Sequence, residues 1–376
     1  MKARARDLGI RIGTMEPGPM NAITDVAGVG AGHRTLIEGD GPLVVGRGPV
    51  RTGVTIVQPH DGDVCTEPVF AAPHRLNGNG EMTGLEWVRE VGLLTSPIGL
   101  TNTHSIGAVH EALIRHELRR TGKPWTLPVV AETWDGRLND IDGFHVRAEH
   151  ALEAIDAVSR GPVDEGSVGG GTGMVSFGFK AGIGSASRVV PAGDRSYVLG
   201  VLVQSNFGWR ERFTVAGVPV GHVLTAERIP LPEPQPVAQE TGSVIVIAAT
   251  DAPLLPHQCA RVAQRIGLGI GRIGGAGGHS SGDLFLCFAT GNRGMQMADL
   301  EQPTTLMHTI SMLDDNHING FFHAAIEATE EAVLNAMLAA ETMTGRDGVT
   351  AHALPHGELV EILRAGWSPL DKPIEA

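Results

Sequence analysis

The chain has 376 residues, and 42% of them are hydrophobic, which is enough for one large core or two modest ones. Its formal net charge of −13 excludes nucleic acid or an anionic membrane surface as the main expected partner. The three cysteines, Cys65, Cys259 and Cys287, lie in unrelated segments, so we expect no disulfide framework. The basic N-terminus lacks the apolar region of a signal peptide, and no apolar run is long enough to span a membrane. These features predict a cytoplasmic protein.

Short buried strands and amphipathic helices are mixed along the chain. Apolar and β-branched runs predict strands at 54–57, 98–102, 127–132, 196–203, 244–249 and 284–289. Helical periodicity predicts helices at 105–120, around 152–158, from 255 to a stop at Gly267, and from 318 to about 343. The order is not a strict strand–helix alternation, so we expect helices stacked outside packed sheets. The proline-rich connector at 229–241 is the only break in composition, which favours a single domain over 1–376.

Two glycine-rich segments and the histidines do not predict a cofactor. Residues 269–274 match GxGxxG, but a helix precedes them where a dinucleotide site needs a strand. Residues 166–173 resemble a phosphate loop without the lysine that follows it, and a glycine nest supporting an active-site wall is the alternative. The 16 histidines are scattered and no ligand set is complete. We therefore expect neither a metal nor a cofactor.

The dipeptide Gly242-Ser243 stands between the proline-rich connector and the apolar run 244–249. Alternating prolines favour an extended, solvated backbone. A buried strand would thus begin at a serine whose upstream peptide is accessible, which suits cutting the chain there and exposing the serine as a new N-terminus. The alternative is that Ser243 only caps the strand after a loop.

Other polar residues lie at strand ends. Ser281 and Asp283 occupy a glycine-rich turn before the strand 284–289, where a second hydroxyl and a carboxylate could orient a serine nucleophile. Asn206 ends an apolar strand and could direct its amide at an oxyanion. Glu132 ends another strand and could bind a cationic amine. For all of these residues, a local turn or strand-end cap is the alternative.

Taken together, these segments resemble the self-processing aminopeptidases of the DmpA type, which include L-aminopeptidase/D-amidase/D-esterases and β-aminopeptidases. The resemblance runs from Asn21 to about Arg346. Its most specific pieces are 201–206, 241–253 and 281–283 with the strand that follows.

The resemblance implies an α/β fold, a four-layer αββα sandwich similar to that of N-terminal-nucleophile hydrolases and ornithine acetyltransferase. It also implies self-cleavage between Gly242 and Ser243 into an α chain, 1–242, and a β chain, 243–376, that stay associated. Ser243 would be the nucleophile of a serine aminopeptidase, acting on small peptides or on amino acid amides or esters. A homo-oligomer of αβ units is expected.

The resemblance further assigns roles to the polar residues at the strand ends. Ser281 and Asp283 would form the supporting relay, Asn206 would contribute to the oxyanion hole, and Glu132 would hold the substrate's amino group. Two positions depart from the family. Members often carry glutamate in place of Asp283, and a tyrosine is expected near the oxyanion site, where this chain has Trp134, whose indole donates one hydrogen bond.

Two other functions are compatible with the same pattern. An acyltransferase similar to ornithine acetyltransferase would share the architecture, but that family uses threonine after alanine at the junction. A non-enzymatic binding protein could also retain the fold. The sequence leaves open whether the preferred substrate residue is an L-α-, D- or β-amino acid.

Overall fold

The structure is a computed structural model that describes residues 2–122, 125–232, 241–295 and 307–366. Most of the proline-rich connector, residues 233–240, lies outside this part of the chain. The strands, in chain order, are Gly30–Glu38 (β1), Val50–Gln58 (β2), Val69–Gly78 (β3), Leu93–Leu94 (β4), Ile98–Asn102 (β5), Val129–Thr133 (β6), Val175–Ser176 (β7), Phe179–Lys180 (β8), Ile183–Ala192 (β9), Arg195–Asn206 (β10), Thr241–Thr250 (β11), Ser280–Ala289 (β12), Met343–Thr344 (β13) and Thr350–Ala351 (β14). The helices are Leu85–Val91 (α1), Ile106–Thr121 (α2), Ala148–Asp156 (α3), Pro256–Arg272 (α4), Asn319–Leu338 (α5) and His356–Ala365 (α6).

Two sheets form the centre of the molecule. One has the strand order β1-β2-β5-β6 and the other β4-β3-β12-β11-β10-β9. Helices α2 and α3 cover the outer face of the first sheet, and α4 and α5 cover the outer face of the second. A third apolar core fills the space between the sheets. The four-layer αββα sandwich expected from the sequence is therefore confirmed.

Strand β11 lies in the middle of the larger sheet and is buried on both faces. Val244 and Val246 pack into the core beneath the helices, whereas Ile245 and Ile247 pack into the core between the sheets. A strand that is covered on both faces has a continuous apolar sequence, because neither side of its pleat is in contact with water. This explains why the sequence 244–249 contains no polar alternation, and it fixes the strand rigidly.

Each predicted strand lies within or overlaps an observed one, but two helix ends differ from the prediction. Helix α4 does not stop at Gly267 and continues to Arg272, and α5 ends at Leu338. A Cβ atom at Gly269 would lie 2.6 Å from the carbonyl oxygen of Ile326 in α5. Glycine at that position permits close packing of the two helices and does not end α4. The GxGxxG segment is thus largely helical.

The glycines of 169–171 fit between the two sheets. A Cβ atom at Gly170 would clash with Gln204, and it would lie 2.7 Å from the carbonyl oxygen of Leu100. The N–H groups of Gly169 and Gly170 donate to the hydroxyls of Thr35 and Thr55, at 2.9 and 3.1 Å. Both N–H groups are therefore hydrogen-bonded within the fold, and the segment 169–171 is a closely packed part of it.

A buried ion network, which we call the Arg188 network, joins the start of the chain to α5. Arg188 contacts Glu331 at 2.7 Å and Glu327 at 3.1 Å. Arg6 contacts the other oxygen of Glu331 at 3.0 Å. The side chains of Arg188 and Glu331 are fully buried. Buried charges are stable only when they are well paired, so this network strongly constrains how α5 lies against β9.

The two glycines at the end of α4 provide a matched test of this packing. We expect Gly269→Ala to lower the stability by about 1–3 kcal/mol, because the added methyl overpacks the contact with α5. Gly271→Ala, two residues along the same helix, meets no atom within 4 Å and should be neutral or stabilising by up to about 1 kcal/mol. Thermal unfolding of both variants measures the difference, and equal destabilisation would contradict the packing explanation.

Candidate active site

The candidate site lies where three neighbouring strands of the larger sheet meet. Ser243 of β11 is the register partner of Asn206 in antiparallel β10 and of Gly282 in parallel β12. Side chains of directly opposite residues lie on the same face of a sheet. Ser243 and Asn206 therefore point to the same side, toward the smaller sheet. The pairing brings together residues that are 37 or more positions apart in sequence.

The Ser243 hydroxyl is fixed by the backbone around it. It donates to the carbonyl oxygen of Gly242 at 2.7 Å, and its Oγ accepts the N–H of Gly282 at 3.2 Å. Ser243 is only 6% exposed. The Ser243 Oγ atom is therefore adjacent to the peptide bond that precedes it and has a backbone donor directed at it.

The backbone leaves no room for a side chain at the residue before the serine. A Cβ atom at Gly242 would lie 2.6 Å from the carbonyl oxygen of Asn206 and 2.8 Å from the Cα atom of Phe207. Both are backbone atoms of the adjoining strand end, and they cannot move without breaking the pairing. Glycine at position 242 is thus required for the junction to lie within β11.

The Ser281–Asp283 pair is formed, although its link to Ser243 differs from the expected relay. The Ser281 hydroxyl donates to Asp283 Oδ1 at 2.7 Å, and both residues are buried. Ser281 is the register partner of Gly242. In this part of the structure, however, the Ser243 hydroxyl donates to Gly242 and not to Ser281. The Ser281–Asp283 pair therefore lies directly beside the junction.

Both ends of the Asn206 side-chain amide are engaged. Oδ1 accepts the N–H of Val175 at 3.0 Å, and Nδ2 donates to the carbonyl oxygen of Trp134 at 2.9 Å. An amide nitrogen carries two hydrogens, so the bond to Trp134 leaves a second donor. These contacts fix which end of the amide is the donor next to Ser243.

Glu132 lies at the end of β6, across from the serine. Its side chain is buried and accepts the N–H of Glu81 at 3.0 Å and the hydroxyl of Thr103. Burial raises the pKa of Glu132 above its ordinary value, although the Thr103 hydroxyl acts in the other direction. A Cβ atom at Gly80 would be 3.1 Å from both Glu132 Oε1 and the Cα atom of Gly282. The Glu132 carboxylate and β12, the strand that pairs with β11 at Ser243, are therefore separated by little more than Gly80.

Trp134 contributes to the site through its backbone. The indole ring is 43% exposed and lies against Gly136, where a Cβ atom would come within 2.9 Å of Nε1. The carbonyl oxygen of the same residue accepts the hydrogen bond from Asn206. The sequence assigned Trp134 to the substrate side through its ring, whereas its described polar contact here positions Asn206.

A surface pocket of about 370 Å³ opens beside Gly80. Leu284, next to Asp283 in β12, forms part of its wall, and the Trp87 and Leu127 side chains add apolar surface. The charged residues of its lining are Arg75, Arg89, Glu81 and Glu86, and Arg89 pairs with Glu86. The pocket thus combines apolar surface with charges of both signs.

Lys180 is a residue that the sequence analysis missed. It is fully buried, and its Nζ donates to the carbonyl oxygens of Met174 and Ala181 at 2.9 and 2.6 Å. Burial lowers its pKa to about 7, with a smaller contribution from Lys2. The one available signal was an isolated lysine inside the otherwise uncharged segment 174–183.

Within residues 2–122, 125–232, 241–295 and 307–366, no group of three histidine, cysteine or carboxylate side chains is arranged to hold a metal ion. No helix in the same ranges is both long and apolar enough to cross a membrane.

Comparison with known proteins gives consistent matches over nearly the whole chain. The model of "Peptidase family S58" matches residues 21–351. The beta-peptidyl aminopeptidase BapA of Sphingosinicella microcystinivorans is 47% identical over 371 residues, covering 96% of this chain and 92% of that protein. A solved β-aminopeptidase from Burkholderia sp. is 49% identical with a TM-score of 0.90, covering 98% of this chain and 100% of that one.

A second solved structure supports the fold assignment. The L-aminopeptidase D-Ala-esterase/amidase of Ochrobactrum anthropi, described as a variant of the Ntn hydrolase fold, is 45% identical with a TM-score of 0.88. The overlap covers 96% of this chain and 98% of that one. The resemblance inferred from the sequence is confirmed, and the chain belongs to peptidase family S58.

Proposed function

We propose that this protein is a self-processing serine aminopeptidase that cuts itself between Gly242 and Ser243. It then releases N-terminal residues from short peptides, amides or esters through an acyl-enzyme on Ser243. The observation that carries the proposal is the position of the Ser243 hydroxyl, 2.7 Å from the Gly242 carbonyl oxygen with the Gly282 N–H directed at Oγ. Membership of peptidase family S58 supports the same reaction class.

Self-cleavage follows from the serine's position after a glycine. Ser243 Oγ attacks the Gly242 carbonyl carbon, and the C–N bond breaks as the Ser243 nitrogen takes up a proton. The product is an ester between Gly242 and Ser243, which water hydrolyses. This frees the carboxyl group of Gly242 and the α-amine of Ser243. Gly242 suits this step because the crowded backbone leaves no space for a side chain.

The exposed α-amine then supplies the base that a serine nucleophile needs. Its reference pKa of about 7.7–8.0 lets it accept the hydroxyl proton near neutral pH. The Ser281–Asp283 pair beside the junction supports this proton transfer. Asn206 Nδ2 stabilises the oxyanion that forms on the substrate carbonyl. Water finally attacks the acyl-enzyme and releases the N-terminal amino acid.

The substrate's amino group is held by Glu132. Its carboxylate lies next to Gly80, close to the serine strand, and attracts an ammonium group more strongly because it is buried. The two relatives at 47% and 49% identity are named for β-peptidyl or β-amino substrates. We therefore propose that N-terminal β-amino acids are among the accepted residues, with the rest of the peptide entering the pocket beside Gly80.

The proposal extends to assembly and location. The αβ unit forms a homo-oligomer in the cytoplasm, and it has no nucleic-acid partner. The net charge of −13 and the three free cysteines support this part of the proposal. Light scattering of the purified protein measures the number of αβ units.

Substitution of the nucleophile tests self-cleavage. Ser243→Ala should remain one uncut chain without hydrolytic activity, because no hydroxyl can attack Gly242. Ser243→Cys keeps a small nucleophile and serves as the matched control, for which we expect at least partial cutting. Denaturing gels and intact mass resolve one species from the pair 1–242 and 243–376. A Ser243→Ala protein that still splits would contradict the proposed cleavage.

Substitution of Asn206 tests the oxyanion role. Asn206→Ala should lower kcat by roughly 10²–10³-fold, the usual effect of one lost oxyanion donor, with little change in KM. Asn206→Asp keeps the acceptor for Val175 but replaces the donor with an anion, so its kcat should fall at least as far. Steady-state kinetics on an aminoacyl p-nitroanilide separate the two parameters. A raised KM with normal kcat would argue for a binding role instead.

The raised pKa of Glu132 predicts how substrate binding depends on pH. As the pH falls through that raised pKa, Glu132 takes up a proton and loses its attraction for the ammonium group. KM should thus begin to rise at a pH above the ordinary glutamate range. Glu132→Gln should raise KM by about 10–100-fold at neutral pH and abolish this pH dependence. Glu90→Gln, an exposed carboxylate on α1, is the control for net charge, and a KM unaffected by Glu132→Gln would refute the assignment.

A further inference from the structure

One peptide unit links the buried lysine to Asn206. The carbonyl oxygen of Met174 accepts Lys180 Nζ at 2.9 Å and the Ala181 N–H at 3.0 Å. The N–H of the same peptide unit belongs to Val175, and it donates to Asn206 Oδ1 at 3.0 Å. Lys180 and Asn206 are thus joined through the two ends of a single conjugated amide.

The chain of hydrogen bonds continues to the serine. The Asn206 amide is itself conjugated, and its Nδ2 donates to the Trp134 carbonyl oxygen at 2.9 Å. Asn206 is also the register partner of Ser243. Any polarisation that enters at the Met174 carbonyl therefore reaches the Nδ2 donor of Asn206, the register partner of Ser243.

The surroundings of the Lys180 ammonium group are unusual for a lysine that has only a structural role. The side chain is fully buried, and none of the carboxylates in the described ranges forms an ion pair with it. Among the described residues, the charged group that acts on its pKa is Lys2, which is also a cation. Hydrogen bonds polarise one another along a chain, most strongly where water is excluded. In its protonated form, Lys180 at one end of this chain makes each successive N–H group a better donor.

We propose that Lys180 is a positioning residue for the oxyanion hole: through the Met174–Val175 peptide it fixes the orientation of the Asn206 amide and strengthens Nδ2 as a donor. The inference rests on the proposed function for its catalytic consequence, but not for the hydrogen-bond chain itself. The competing explanation is that Lys180 only holds the β7–β8 hairpin together.

The variant Lys180→Met separates these explanations with limited damage to the fold. Methionine has a similar length and no charge, and the Met174 carbonyl keeps its bond to the Ala181 N–H. We expect kcat to fall by about tenfold or more, a part of the roughly 10²–10³-fold effect of one oxyanion donor, with KM nearly unchanged. In an Asn206→Ala background, Lys180→Met should cause little further loss, because Lys180 acts through Asn206.

Stability and processing require controls within the same experiment. Asn335→Leu removes a buried polar side chain of α5 that bonds to Ser185 and Ala5, neither of which belongs to the proposed chain of hydrogen bonds. It should lower the melting temperature without lowering kcat. Activities are expressed per processed enzyme, and where a variant cuts itself too slowly to yield processed enzyme, the rate of self-cleavage on a gel is compared among the single and double variants instead. Additive losses from Lys180→Met and Asn206→Ala would overturn the inference.

A spectroscopic measurement tests the chain without any enzymatic activity. In the Ser243→Ala protein, the Asn206 side-chain amide resonance is assigned by its disappearance in Asn206→Asp. Lys180→Met should move this amide proton upfield, as expected for a weaker donor. An unchanged resonance would refute the polarisation by Lys180. If the wild-type protein neither cuts itself nor hydrolyses substrates while the shift is present, the proposed function fails and the chain of hydrogen bonds stands.

Discussion

The in-register pairing of three strand ends is the constraint on which the rest of the site depends. Asn206, Ser243 and Gly282 lie side by side because β10, β11 and β12 are adjacent in the larger sheet. A shift of one residue would turn the serine to the opposite face of the sheet. The apolar cores on both sides of β11 prevent that shift. Packing far from the serine thus determines where its hydroxyl points.

The site lies between two sheets, and this position changes the behaviour of its charged groups. Glu132 and Lys180 are both buried, and burial disfavours the charged form of each. The same exclusion of water strengthens every hydrogen bond and charge interaction that remains. In their proposed roles, the charged forms of Glu132 and Lys180 would therefore act more strongly here than at the surface.

The sequence predicted the strands and the family, the roles of the site residues stay predictions, and the contacts of those residues could not be predicted from it. The run 244–249 is apolar because both its faces are covered, so β11 was evident. Gly267 was misread as a helix stop, because the close contact between Gly269 and α5 depends on a partner 57 residues away. No local sequence pattern could show that Asn206 bonds to Val175 and Trp134, or that Lys180 bonds to the Met174–Val175 peptide. Such contacts arise from the register of distant strands.

The Arg188 network also joins residues that lie before the Gly242–Ser243 junction in the sequence to residues that lie after it. Arg6 and Arg188 precede the junction, whereas Glu327 and Glu331 follow it. Under the proposed cleavage, each fragment would carry half of a buried ion network, with the cations on one and the carboxylates on the other. Neither half would be electrostatically complete alone, and separation would leave charges without partners. Synthesis as one polypeptide delivers both halves at a high effective concentration, so the proposed mechanism requires folding before cutting.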